Sequence, residues 1–289
     1  MSFVLLTDSS ADLSAEMVRE LDIQVLPLTF TLNETNYCNY PDNRDMDPHL
    51  FYEKLRAGEV ATTAAVNMAQ YTEMLEPLLQ AGKDVLVLAF SSGLSATFQS
   101  SRLAVEELLE KYPSRRLYTV DTLCASMGQG LLVYLAARKR QEGASIEEVR
   151  DWAEANKQSI CHKFTVDDLH FLKRGGRIST TTAMVGSMLN IKPVLHVDKE
   201  GRLVSIAKAR GRQASLKALV DQMEQTAIDP HSQTVFISHG DCLEDAQTVA
   251  QMVRERFGVR NIWINYIGPV IGAHSGPGTL ALFYVGTER

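Results

Sequence analysis

The chain has 289 residues, 45% of them apolar, and a net charge of −6 from 29 basic and 35 acidic side chains. That length suggests one large or two ordinary domains with a sizeable core, and the acidic balance argues against non-specific nucleic-acid binding. Cys38, Cys124, Cys161 and Cys242 are scattered with no C-x-x-C pair, which points to reduced thiols rather than a disulfide frame or a zinc site. Neither a signal peptide nor an apolar run of membrane-spanning length is expected, so the chain reads as cytoplasmic.

In chain order, residues 3–7 read as a strand, Asp8-Ser9-Ser10 as a loop and 14–21 as a short helix. Residues 23–32 are extended. Asp47-Pro48 opens a helix with a cap and a proline at its first position, and residues 68–80 form a helix closed by Gly82. A strand over 85–90, a helix over 97–110, a strand over 117–121 and a helix over 126–141 follow. Ser145 and Glu148 make a capping box for a helix over 146–156. This rhythm predicts a mainly parallel sheet flanked by helices, with the site in loops at the carboxyl ends of the strands.

The second half changes character. A strand over 160–166 leads to short helices, a loop over 173–179 and a helix over 180–189. Strands over 194–197 and 203–208 form a hairpin around Lys199-Glu200-Gly201. A helix over 213–227, strand over 234–239, helix over 243–257 and strand over 262–267 follow, and 280–285 is the last strand. The expected fold class is α/β, with two closely packed α/β domains at 1–159 and 160–289.

The apolar run 85–90 stops at Ser91-Ser92-Gly93-Leu94-Ser95, and a helix follows. Such a helix start offers unpaired N–H groups and the positive end of a dipole to an anion. It holds no Lys or Arg and lacks the P-loop pattern, so a single carboxylate or phosphate monoester suits it better than a nucleoside triphosphate. A plain cap at Ser95 accounts for the same residues. Gly93-Leu94-Ser95-Ala96-Thr97 is also half of a nucleophile elbow. His239, Asp241 and His274 could complete a triad, which keeps a hydrolase using Ser95 as an alternative. Asp8 stands where a phosphotransferase nucleophile would, but Ser10 occupies the position where such chemistry wants a second Asp, and a turn or cap is the better account of Asp8-Ser9-Ser10. The histidines show no metal-binding spacing.

Two basic clusters, Lys173-Arg174-Gly175-Gly176-Arg177 and Lys208-Ala209-Arg210-Gly211-Arg212, are solvated loops or docking patches. The paired glycines favour close backbone approach. The stretch from Gly268 to Thr279 reads as a Gly/Pro-shaped loop holding one imidazole, His274, or as a plain turn between strands.

These pieces together resemble the DegV family of fatty-acid-binding proteins. The resemblance rests on VLLTDSSA (4–11), SGLSATFQSS (92–101), residues 120–132, DLHFLKRGGRIS (168–179), LNIKPVL (189–195), residues 208–212 and GPVIGAHSGPGT (268–279). It implies two α/β domains with a long-chain fatty acid such as palmitate held between them, no other cofactor, no metal and no catalysis. The implied partner is the catalytic subunit of a fatty-acid kinase, which makes acyl phosphate for phospholipid synthesis, with transient contact at a membrane surface. By the same resemblance Thr63, Ser95 and His274 bind the carboxylate, with Thr62 a competing neighbour of Thr63. Arg174 matches the family's loop arginine, and Arg177 and Arg210 lie near the site or the kinase dock. The family's T-S-Q-P-S segment falls on Thr63-Ala64-Ala65-Val66-Asn67, where only the Thr is kept.

The chemistry suits these residues. A carboxylate is costly to bury unless several donors meet it, and the two hydroxyls, the helix-start amides and His274 offer them without a fixed cation. A neutral cradle suits a head group that must be handed to a kinase and returned. The tail needs a long apolar tunnel; at about 0.8 kcal/mol per methylene, a sixteen-carbon chain contributes on the order of 10 kcal/mol gross. Met184, Met188, Leu189 and Ile191 are the candidate lining.

Overall fold

A computed structural model describes residues 3–178 and 190–289. The first half carries β1 (Val4–Asp8), β2 (Ile23–Leu26), β3 (Thr29–Leu32), β4 (Thr35–Cys38), β5 (Ala61–Ala64), β6 (Val85–Ala89) and β7 (Leu117–Asp121). The second half carries β8 (Ile160–Thr165), β9 (Ile191–Val197), β10 (Leu203–Arg210), β11 (Thr234–His239), β12 (Asn261–Tyr266) and β13 (Leu280–Val285).

The protein is an α/β structure built around a parallel sheet of order β2-β1-β6-β7. The central strand β6 is Val-Leu-Val-Leu-Ala and is buried throughout, as a strand covered on both faces must be. Its side chains alternate between two cores. Leu86 and Leu88 meet the helices Met127–Gln141 and Ile146–Asn156, while Val85, Val87 and Ala89 meet Met68–Gln80 and Thr97–Lys111. Two of these helices start with reciprocal capping boxes, Asn67 with Gln70 and Ser145 with Glu148, which satisfy otherwise orphaned amides.

The second half forms a mixed sheet of order β10-β9-β8-β13-β11-β12, antiparallel except for the β11–β12 pair. Helices Arg212–Thr226 and Leu243–Phe257 cover one face. The helix Met127–Gln141 packs against β8, β11 and β13 on the other face, and also against β6. It is therefore wedged between the two sheets.

Several expectations change. The single extended segment over 23–32 divides at Pro27, which has no N–H for a ladder. Beyond it the chain leaves the parallel sheet, and β3 joins β4 and β5 in a small antiparallel sheet. The loop over 268–279 contains a helix, Pro269–Ser275, with proline in its first turn. The helix Leu169–Arg174 takes in the start of the loop expected over 173–179. The helix over 180–189, with Met184, Met188 and Leu189, lies outside the described residues.

The two halves meet closely beside the loop after β6. Ser91 Oγ donates to the Gly201 carbonyl at 2.8 Å. Gly93 sits against the β9–β10 turn so tightly that a Cβ there would lie 2.5 Å from the Glu200 carbonyl oxygen. Among the described residues, no helix is long and apolar enough to cross a membrane.

Candidate functional site

A cavity of about 320 Å³ lies between the two large sheets, within the size range of small-molecule sites. Residues following β6 (Phe90, Leu94, Ser95) and β7 (Ala125, Ser126) line it, as expected of loops at the carboxyl ends of parallel strands. The opposite wall is built by Phe164, Val197, Leu203, Ala281 and Phe283 from the mixed sheet. Leu28, Val270 and Ile271 extend the apolar surface.

Among the described residues, eight polar side chains interrupt this lining: Thr63, Ser95, Ser126, His162, Arg177, His274, Ser275 and Thr279. Thr63 Oγ1 and His274 Nε2 are hydrogen-bonded at 2.8 Å, joining β5 to the helix Pro269–Ser275. Burial, then the charges of Arg177 and Arg174, push the His274 pKa down to about 4, so the imidazole is neutral at pH 7. Ser95 Oγ accepts from the Thr97 N–H at 3.2 Å and shares a hydrogen with Thr97 Oγ1 at 2.9 Å. The helix begins at Thr97 with Ala96 as its cap residue and no side-chain cap bond from it. Ser95 thus reaches the first turn from one residue further out, which differs from a plain cap.

The row of unpaired amides expected here is narrower than the sequence suggests. The loop uses its own N–H groups: Gly93 donates to Ser91 Oγ, and Leu94 and Ser95 donate to the Ser91 carbonyl. Among the described residues, the Phe98 and Gln99 N–H groups have no backbone acceptor, as at any helix start.

Arg177 corrects the expectation of a cradle without a fixed cation. Its side chain is half-buried in the cavity wall. Nε donates to the Leu94 carbonyl at 3.2 Å, and Nη1 donates to the Gly175 carbonyl. Gly175 in turn packs against the imidazole; a Cβ there would fall well under 3.0 Å from His274 Nδ1. The double glycine was the sequence signal for this approach, but nothing in it marked Arg177 as a wall residue.

The other candidates lie elsewhere. Thr62 is on the opposite face of β5 from Thr63 and opens onto an outer groove beside Thr31. Arg174 is exposed, its guanidinium 4.8 Å above the Phe171 ring. Arg210 ends the edge strand β10, exposed and opposite Ile191, and neither residue lines the cavity.

Two further groups hold the walls. His162 uses both ring nitrogens, Nδ1 with the Ile160 carbonyl at 2.9 Å and Nε2 with the Ala125 N–H at 3.2 Å. Burial pushes its pKa well down, so it forms an uncharged part of the wall. Ser126 Oγ donates to Asp12 Oδ2 at 2.6 Å, and Asp12 Oδ1 accepts from the Gly268 N–H at 2.9 Å. Asp12 thereby ties the start of the helix that carries His274 to the start of the central helix.

Among the described residues, Ser95 is not hydrogen-bonded to a histidine or a carboxylate. Ser95 pairs with Thr97, and His274 pairs with Thr63. His239 accepts from the Cys242 N–H, while Asp241 binds Arg56 and His49. Asp8 is fully buried, away from the cavity, and accepts from the N–H groups of Ser10 and Phe90 and from Gln129. That matches its reading as a turn and cap residue. Among the described residues, no cluster of three or more His, Cys, Asp or Glu side chains is placed to hold a metal.

Comparison with known proteins adds to this geometry. A DegV domain-containing protein of Clostridium perfringens is 50% identical over 287 residues, covering 99% of this chain and 98% of that one. A structure on fatty-acid binding by a DegV family protein from Thermus thermophilus matches with a TM-score of 0.87 at 30% identity, over 99% of this chain and 100% of that one. DegV of Bacillus subtilis, a fatty-acid-binding protein, matches with a TM-score of 0.84 at 27% identity, over 99% and 100% of the two chains. A family model described as an uncharacterised protein of the DegV family matches residues 2–287, and the chain belongs to that family.

Proposed function

We propose that this protein binds a long-chain fatty acid in the cavity and presents it to a fatty-acid kinase in the cytoplasm. The acyl phosphate so formed would feed phospholipid synthesis. The observation that carries the reading is one apolar cavity interrupted by the Thr63–His274 pair and Ser95, in a family whose solved relatives include fatty-acid-binding proteins. In this reading the chain divides into units 1–159 and 160–289, and the ligand lies where they meet.

The hydrogen-bond pattern supports a carboxylate at Thr63 and Ser95. A hydroxyl has one proton to give. If neutral His274 donates from Nε2 to Thr63 Oγ1, the Thr63 proton is free for a ligand oxygen. If Thr97 donates to Ser95 Oγ, the Ser95 proton is free in the same way. Two hydroxyls are then donors aimed at one anion, and the apolar wall takes the tail. The protein's part is binding and presentation, and the kinase does the chemistry.

Denaturing mass spectrometry of an organic extract from the purified protein tests this reading. A stoichiometric fatty acid supports it and reports chain preference. An extract that stays empty after incubation with saturated and unsaturated fatty acids refutes it.

A further inference from the structure

Arg289 has no part in the site described above, yet it is only 5% exposed and bonds to both halves of the chain. We infer that Arg289 is a positioning residue: it fixes the spacing of the two halves beside the cavity and so sets how long a bound tail is retained. This inference rests on the fatty-acid reading and extends it.

The bonds of the guanidinium are the first argument. Nε donates to the Ile160 carbonyl at 3.2 Å and Nη1 to the Asp198 carbonyl at 3.1 Å, both in the second half. Nη2 donates to the Lys157 carbonyl and to Cys124 Sγ, each at 2.9 Å and both in the first half. Among the described residues no carboxylate forms an ion pair with Arg289, and residues 179–189 contain no Asp or Glu. The sulfur is no counter-ion either: burial raises the Cys124 thiol to about 11, and it gives its proton to the Thr122 carbonyl at 3.1 Å. A buried cation without a counter-ion is costly. Here it is held by groups from separate segments, whose relative directions the planar fork fixes.

Strain is the second argument. Leu123 has φ 53° and Ser126 φ 52°, a left-handed region that such side chains seldom adopt. A conformation of this kind persists only where its surroundings over-determine it. The second half supplies three restraints: Arg289 on Cys124, His162 Nε2 accepting from the Ala125 N–H, and Ser238 Oγ at 2.9 Å from Ser126 Oγ. Ala125 and Ser126 line the cavity, so the strained segment is part of its wall.

Third, Arg289 grips both sides of the seam where the halves meet. The Asp198 carbonyl accepts from Arg289 and also from the Gly201 N–H at 3.0 Å. Gly201 is the residue whose carbonyl meets Ser91, and a Cβ on it would lie 3.2 Å from Leu123 Cα. Leu94 and Leu203, on opposite sides of this seam, line both the cavity and an outer groove. Spreading the seam opens the tail's compartment to that groove.

The test measures release. Delipidated protein is loaded with a fluorescent fatty acid and chased with excess laurate, well below the unfolding midpoint. Wild type is compared with Arg289→Gln, Arg289→Lys and Val253→Ala. Val253 is fully buried in the core on the far face of the mixed sheet and does not line the cavity, so its truncation lowers stability away from the seam. Arg289→Gln should release the ligand about tenfold faster than wild type. Arg289→Lys should fall between them, because charge remains while the fixed fork is lost. Val253→Ala should stay within about twofold of wild type. Wild-type release in Arg289→Gln overturns the inference. So does equally fast release in Val253→Ala at the same loss of thermal midpoint, since retention would then follow stability alone. If Arg289→Gln does not fold, the lysine variant decides, and wild-type release in it overturns the inference. Wild type that takes up no fatty acid defeats the fatty-acid reading instead, and amide exchange over residues 121–126 then tests the spacing by itself. That exchange should be faster in the Arg289 variants than in Val253→Ala, and equal exchange overturns the inference.

Discussion

The Lys173–Arg177 loop offers a matched pair of substitutions that separates packing against the imidazole from backbone strain. Gly175 has φ −71° and ψ −11°, a helical conformation that alanine adopts freely. Its Cα faces His274: an added Cβ would lie well under 3.0 Å from Nδ1 and 3.2 Å from Cγ. Ordinary carbon contacts begin near about 3.5 Å, so the ring must retreat by roughly an ångström. The 2.8 Å bond to Thr63 does not survive such a shift, since a contact near about 3.6 Å is no longer a hydrogen bond. Gly176 is the reverse case. Its φ is +72° and no described atom lies within 4 Å of a built Cβ. Gly175→Ala should therefore leave thermal stability within about 1 kcal/mol of wild type, because lost contacts are offset by a less flexible unfolded chain. It should weaken fatty-acid affinity about tenfold, the sum of one lost hydrogen bond and a misdirected Thr63 hydroxyl. Gly176→Ala should cost about 1–2 kcal/mol of stability and leave affinity unchanged. Competition with a fluorescent fatty acid reads the first quantity and thermal denaturation the second. Wild-type affinity in Gly175→Ala would show that the Thr63–His274 pair does not orient the ligand.

Three other perturbations bear on separate parts of the structure. Ser95→Ala and Thr63→Ala should each weaken fatty-acid retention by about fivefold, one net hydrogen bond, with unchanged circular dichroism; if both variants hold lipid as wild type does, the hydroxyl cradle is wrong. Burial raises the Asp12 carboxyl from 3.8 to about 7, so the folded state holds its proton more tightly than the unfolded chain. The sign follows: this residue costs nothing below pH about 4, and stability falls as pH rises from about 4 to about 7. Asp12→Asn mimics the protonated form and should remove a fall on the order of 4 kcal/mol, read from urea midpoints between pH 4 and 8; a pH profile unchanged from wild type would refute the assignment. Arg174→Glu and Arg210→Glu lie on the exposed surface and should impair kinase phosphorylation of bound lipid while lipid content stays at the wild-type level. Loss of the lipid itself would count against a separate docking role.

How far the sequence carries the structure depends on where each element gets its stability. Strands β11 and β13 and the helix Leu243–Phe257 have the predicted bounds, because their apolar periodicity reflects faces that are in fact buried. The helix Pro269–Ser275 defeats the same reasoning. Its Gly, Pro and His content has poor helix propensity, and packing overrides it: a Cβ on Gly272 would lie 2.5 Å from Tyr52 Oη. That tyrosine is itself fixed by donating to the Ile267 carbonyl at 2.8 Å. Choosing between Thr62 and Thr63 needed the register of β5, where Thr63 pairs with Phe30 and Thr62 with Thr31; a slip of one residue would exchange their faces. The same holds for the arginines. Arg174 and Arg177 stand three positions apart in one basic run, and composition treats them alike. The helix ends at Arg174, which stays outside over Phe171. The chain then turns through Gly176 at positive φ and sends Arg177 into the cavity wall. What distinguishes Arg177 is its anchorage on the carbonyls of Leu94 and Gly175. Leu94 is distant in sequence and belongs to the other half of the chain, so no pattern within residues 173–177 encodes that anchorage.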